Sequence, residues 1–165
     1  MKKLLVLMAL AILLASGCAH KNVVMSHNHD FKTYKTAYIE ILPQDEFNLG
    51  THIIQEMSDL GFEARISSAP SAPTPTDLLV KYSYDDGWDF GKYLKSYQVF
   101  FFDARTTSLV ASISYHLDNA TIVGTEARIA GGFDDFRKEA GLPPHPKRPH
   151  HVEKAYDPSP SSPTH

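Results

Sequence analysis

Cysteine is nearly missing from this chain: Cys18 is the only one among 165 residues. A lone thiol excludes an intrachain disulfide framework and a zinc site built on cysteines. Positive charge is not in excess either. Sixteen Lys and Arg face 19 Asp and Glu, a formal charge of −3, so no basic surplus marks nucleic acid as a partner. No nucleophile elbow, HExxH, Walker loop or GxGxxG is present, so no catalytic residue and no cofactor are assigned, and the chain is not expected to be an enzyme. The length suits one domain with tails rather than two well-packed domains.

What is present begins with an address. Met1-Lys2-Lys3 is a short positive segment and Leu4 to Ala15 an apolar run. Such a run is too short for a membrane-crossing helix, which needs roughly 20 residues, and has the layout of a secretory signal peptide. Ala15-Ser16-Gly17-Cys18, with Leu13-Leu14 upstream, resembles the bacterial lipobox. That resemblance implies cleavage after Gly17 and lipidation of Cys18, giving a signal peptide over 1–17. Two or more acyl chains hold a soluble domain stably at a membrane, where one does not. Loss of Lys2 and Lys3 takes the formal charge from −3 to −5. Ala19 after the cysteine, by resemblance to the enteric sorting rule, points to the outer membrane.

Residues 18–30 are polar and without a sustained period, and read as a flexible tether. Residues 31–141 hold nearly all the remaining apolar content and are expected to form the domain. From Leu142 onward the composition shifts: seven of the eleven prolines lie between Pro143 and Pro163. That tail, 142–165, has too few large apolar groups to offset its ordering entropy and is expected to be disordered.

Within the domain, Thr36 to Leu42 alternates as a strand, with Ala37 and Ile39 on one face. Asp45 is placed to cap a helix, and Leu49, Ile53, Met57 and Leu60 form its apolar stripe. Gly61 then supplies a left-handed ending, with Phe62 packing back on Met57. Further strands are expected from Phe62 to Ile66, Asp77 to Tyr84, Tyr93 to Phe102 and Ser108 to Leu117. Apolar residues on both faces near Val99 to Phe102 mark a central strand. Ile129, Phe133, Phe136 and Ala140 have helical spacing, but Gly131-Gly132 costs about 2 kcal/mol against two alanines, so a short helix from about Gly132 is expected. The order β-α-β-β-β-β-α implies an α+β two-layer sandwich: a mainly antiparallel sheet of about five strands, with helices on one face.

Two constellations carry candidate chemistry. Asp85, Asp86, Trp88 and Asp89 gather carboxylates and the only tryptophan around Gly87. Carboxylates bind sugar hydroxyls or a cation and an indole stacks; the plainer reading is a hairpin turn on Asp86-Gly87. His27, His29, His145, His150 and His151 lie in the tether and tail. Imidazole-rich tracts chelate Zn, Cu or Ni loosely, but flexible segments lack the fixed geometry of a structural site, and a solvated polar segment is the plainer reading. His116 alternates with inward residues and points outward. Tyr82, Tyr84, Tyr93, Tyr97 and Phe100 to Phe102 on adjacent strands supply aromatics to both sheet faces, which suits a surface that meets a protein partner.

Asp77-Leu78-Leu79-Val80-Lys81-Tyr82, Trp88, Tyr93-Leu94, Phe102-Asp103-Ala104-Arg105-Thr106 and Leu109-Val110-Ala111 together are similar to a pattern in small uncharacterised Gram-negative lipoproteins. The resemblance spans roughly 31–117 and implies a periplasm-facing α+β domain held to the membrane through lipidated Cys18. It carries over no functional residue besides that cysteine. The expectation is a lipid-anchored envelope protein that binds or scaffolds another envelope protein. Metal handling through the histidines and glycan binding at the acidic turn are the alternatives.

Overall fold

A computed structural model describes residues 19–67, 76–89, 91–118 and 124–144. The signal peptide, Cys18 and the tail from His145 onward lie outside the described residues. Six strands form one mixed sheet: β1 (Ala19–Met25), β2 (Thr36–Glu40), β3 (Glu63–Ser67), β4 (Leu78–Asp89), β5 (Gly91–Asp103) and β6 (Leu109–Leu117). Their spatial order is β1-β6-β5-β4-β2-β3. β1, β6, β5 and β4 pair antiparallel, whereas β2 runs parallel to both β4 and β3. Two helices, α1 (Leu49–Asp59) and α2 (Thr125–Glu139), complete an α+β fold with an open sheet. None of the described helices is long and apolar enough to cross a membrane.

Both helices stop where their glycines require. Phe62 N–H donates to Met57 O at 3.0 Å and Gly61 N–H to Ser58 O at 2.9 Å, with Gly61 at φ 88°. Leu142 and Gly141 repeat the pattern on Arg137 and Lys138. These are two Schellman endings, each satisfying carbonyls the helix leaves open. At the start of α1, Asn48 takes the N-cap position. Asp45, expected as the cap, serves from three residues upstream: its carboxylate accepts from Leu49 N–H at 2.8 Å and Gly50 N–H at 2.7 Å.

The helix-side face buries Ala37, Ile39, Leu78, Val80, Tyr82, Tyr97, Val99, Phe101, Ile113 and Tyr115 beneath Leu49, Ile53, Met57, Ile129, Phe133 and Phe136. Phe31, in a short 3-10 turn (Phe31–Thr33), plugs one end. Its ring meets Phe62, Phe101 and Phe136 edge-on at 4.8 to 5.6 Å. Burying rings of this size contributes on the order of 2 kcal/mol each.

Three expectations change. The stretch 18–30 is not all tether: Ala19–Met25 is β1, in register with Leu117 to Ala111 of β6, so the sheet has six strands rather than five. α2 runs unbroken through Gly131 and Gly132. Gly132 is needed there, because a Cβ would come within 2.2 Å of Tyr97 Oη, and that hydroxyl donates to Arg128 O at 3.0 Å. The helix therefore lies closer to the sheet than any larger residue allows. Finally, Asp85 to Asp89 is not a turn. β4 continues through it, paired with Gly91 to Ser96, after a bulge between Asp85 and Asp86.

Candidate functional site

Alternation turns every second residue of the sheet away from the helices. On that face, opposite the two helices, the register aligns Asp85 of β4, Ser96 of β5, His116 of β6 and His20 of β1 in one transverse row. With Asn22, Ser83, Gln98 and Ser114 they line an open trough of about 520 Å³. Ser96 Oγ donates to Asp85 Oδ2 at 3.0 Å. His20 Nε2 stands 3.1 Å from one carboxylate oxygen of Asp118 and His116 Nε2 3.7 Å from the other. One carboxylate thus bridges an imidazole from the edge strand and one from its neighbour. The other end of this face is apolar, where half-buried Leu79, Phe100 and Phe102 join buried Tyr38, which the register sets beside Leu79.

The four residues of the acidic segment do not converge. Asp85 enters the trough. Asp86 lies on the helix side, where Lys92 Nζ reaches it at 3.0 Å and also pairs with Glu46. The bond from Lys92 holds the Asp86 carboxyl below its usual range, and the two carboxylates push the ammonium upward. Asp89 opposes Gly91 close to the hairpin end. Trp88 opposes Lys92 and is 79 % exposed, the most exposed large apolar side chain described. The arm is nonetheless well held. A Cβ on Gly87 would meet the Tyr93 ring at 2.5 Å, so that ring covers the glycine. At its base Tyr84 Oη donates to Gln44 O and accepts from Glu46 N–H, with Phe47 edge-on to the Tyr84 ring at 5.4 Å.

The histidines also separate. His27 is exposed. His29 Nδ1 is 2.9 Å from Tyr34 Oη and its Nε2 3.4 Å from Ser108 Oγ. Tyr34 in turn donates to Asp103 Oδ2 at 3.1 Å. Burial, reinforced by that carboxylate, pushes the Tyr34 hydroxyl up to about 12. Asp103 also accepts from Thr106 N–H and, less strongly, Arg105 N–H, which holds its carboxyl low and shapes the turn into β6. This chain of contacts pins the segment after β1 onto the β5–β6 turn. Among the described residues no group of three or more His, Cys, Asp or Glu is arranged to hold a metal ion. Cys18, His145, His150 and His151 lie outside the described residues.

Sequence reasoning missed His20 and Asp118 and the alignment of His20 with His116. The outward alternation of His116 was the one available signal.

No family model matches the sequence, and no curated protein matches it. The fold has a solved counterpart. A DUF4136 family protein from Bacteroides thetaiotaomicron superposes with a TM-score of 0.52 at 10% identity, over 73% of this chain and 95% of that one. Its architecture is the one found here, and at that identity the likeness is one of fold alone. A PelC dodecamer from Paraburkholderia phytofirmans is also similar, with TM-scores of 0.47 and 0.39 in two crystal forms at 12% and 13% identity. Those matches cover 74% and 63% of this chain and 97% and 86% of the PelC chains.

Proposed function

We propose that this is a lipid-anchored cell-envelope protein, held at the outer membrane through Cys18 and facing the periplasm, whose sheet face opposite the helices binds another envelope protein. The observation that carries the reading is the trough, with Asp85, Ser96, His116 and His20 aligned across four strands on the side the helices leave open. Its hydroxyls, amides, carboxylates and imidazoles are hydrogen-bonding groups of mixed sign. Leu79, Phe100 and Phe102 supply the apolar ground beside it, so the face joins an apolar area to a polar margin as interfaces do. Binding rather than catalysis suits such a spread of groups.

A photo-crosslinking residue at Gln98, exposed in the middle of the trough, should capture one dominant envelope protein in cells. The same residue on the exposed side of α2, at Glu139, should not. Cys18→Ala should lower the yield by removing the protein from the membrane. Equal capture from both positions would sink the reading. The mixed donors and acceptors also match sugar hydroxyls, which favours a glycan as the second reading. Co-sedimentation with peptidoglycan that is lost on Ser96→Ala and Gln98→Ala together would bring it forward.

A further inference from the structure

The register sets two distant parts of the chain at one end of the sheet. His20 is level with Asp85, through His116 and Ser96. Moving outward, Ala19 is one residue beyond that row and Trp88 three. Trp88 therefore projects roughly 7 Å past the start of β1, at about 3.4 Å per residue. Sideways, β1 and β4 are three strand spacings apart, roughly 14 Å. The chain thus leaves for position 18 at the end from which the β4–β5 arm projects.

We propose that the β4–β5 arm is a membrane-contact element, with Trp88 seated at the lipid headgroup level when position 18 is anchored. The proposal rests on the anchoring reading above. Four features support it. β1 begins directly after position 18, which leaves no slack to carry the arm away from a surface that holds the anchor. An indole with an apolar body and an N–H tip is the side chain most suited to a membrane–water interface. Trp88 is exposed on an arm that Tyr84, Tyr93 and Lys92 hold in place, so little order has to be created on contact. The charge balance selects the kind of contact: Lys92 is engaged with Asp86 and Glu46, and exposed Asp89 adds negative charge. The arm is not basic, so its contact is aromatic rather than electrostatic.

One cysteine and one tryptophan make the test specific. The chain from Cys18 onward is conjugated at Cys18 to a single-chain alkyl maleimide and mixed with vesicles of phosphatidylethanolamine and phosphatidylglycerol. A single chain binds only marginally and reversibly, so a second contact is measurable. The expected result is a blue shift of Trp88 emission on vesicle binding, strong quenching by brominated lipid, and a several-fold lower bound fraction for Trp88→Ala. Trp88→Phe should retain part of the binding, and added salt or more phosphatidylglycerol should change little. Emission that stays at the solvent-exposed position, with Trp88→Ala binding as well as the parent, would overturn the proposal and leave the arm to a protein partner. Binding that collapses with salt would overturn it in favour of charge. Because the alkyl chain is attached in vitro, these outcomes do not depend on lipidation in the cell. That reading is tested separately by the mass of the N-terminal peptide from native membranes.

Discussion

Adjacent glycines in α2 should respond to the same substitution with opposite signs. A Cβ on half-buried Gly131 meets nothing closer than Lys21 Nζ at 3.8 Å. Gly131→Ala therefore gains the helix-interior advantage of alanine, about 1 kcal/mol. Gly132→Ala gains the same term but drives its methyl onto Tyr97 Oη at 2.2 Å and Ile113 Cγ2 at 3.1 Å. The hydroxyl must leave Arg128 O, a loss of about 1 kcal/mol, and overpacking adds about 1–3 kcal/mol. The net expectation is about 1–3 kcal/mol of destabilisation. Urea unfolding should show the midpoint rising for Gly131→Ala and falling for Gly132→Ala, with m unchanged in both. Tyr97→Phe removes the nearest obstacle, so its combination with Gly132→Ala should cost less than the sum of the single changes. Equal signs for the two glycines, or strict additivity with Tyr97→Phe, would refute the close-approach argument.

Glu56 and Arg137, each 2 % exposed, face one another between the helices at 3.6 Å. Glu56→Leu should cost about 3–5 kcal/mol by leaving a buried cation, while Glu56→Leu with Arg137→Met should recover most of it, as a thermal double-mutant cycle would show. Asp77 accepts from Lys35 and Thr36 N–H at 2.8 and 2.9 Å, which lowers its pKa in the folded state. The stability it contributes is present above its unfolded value and is lost as pH falls through the folded one. Asp77→Asn should therefore flatten the decline of stability below about pH 5 and leave a smaller difference from the parent in strong acid. Deleting 19–25 should expose the β6 edge and Ile113-side core, lowering the thermal midpoint and promoting self-association, readable by light scattering.

Much of the fold was legible because its punctuation is local. Met57, Leu60, Gly61 and Phe62 state a helix ending within a single turn, and Val99 to Phe102 mark a central strand by being apolar on both faces. Where the reading failed, the deciding contact lies far away in sequence. β1 is an edge strand whose outward residues His20 and Asn22 are polar and whose inward apolar residues are Val23 and Met25, a pattern too thin to tell from a tether. Asp86-Gly87 carries a turn signal, but Tyr93 lies over the glycine and Lys92 engages Asp86, so the ladder continues. Gly131-Gly132 looks like a helix breaker until Tyr97 is placed beneath it. The transverse row of the trough exists only through strand register, which the separation of His20 from His116 conceals.

Because β1 is laid along β6 over seven antiparallel pairs, it also sets how the domain bears a mechanical load. A pull on the start of β1 directed along the strand is nearly perpendicular to its inter-strand hydrogen bonds. The ladder is then sheared as a unit rather than unzipped pair by pair. The same seven residues as a loose segment would merely straighten before passing the force on. Lys21, which pairs with Asp135 at 2.8 Å and donates to Gly131 O, also ties this strand to α2. Force entering at β1 would thus act against the sheet, with a helix tied to it.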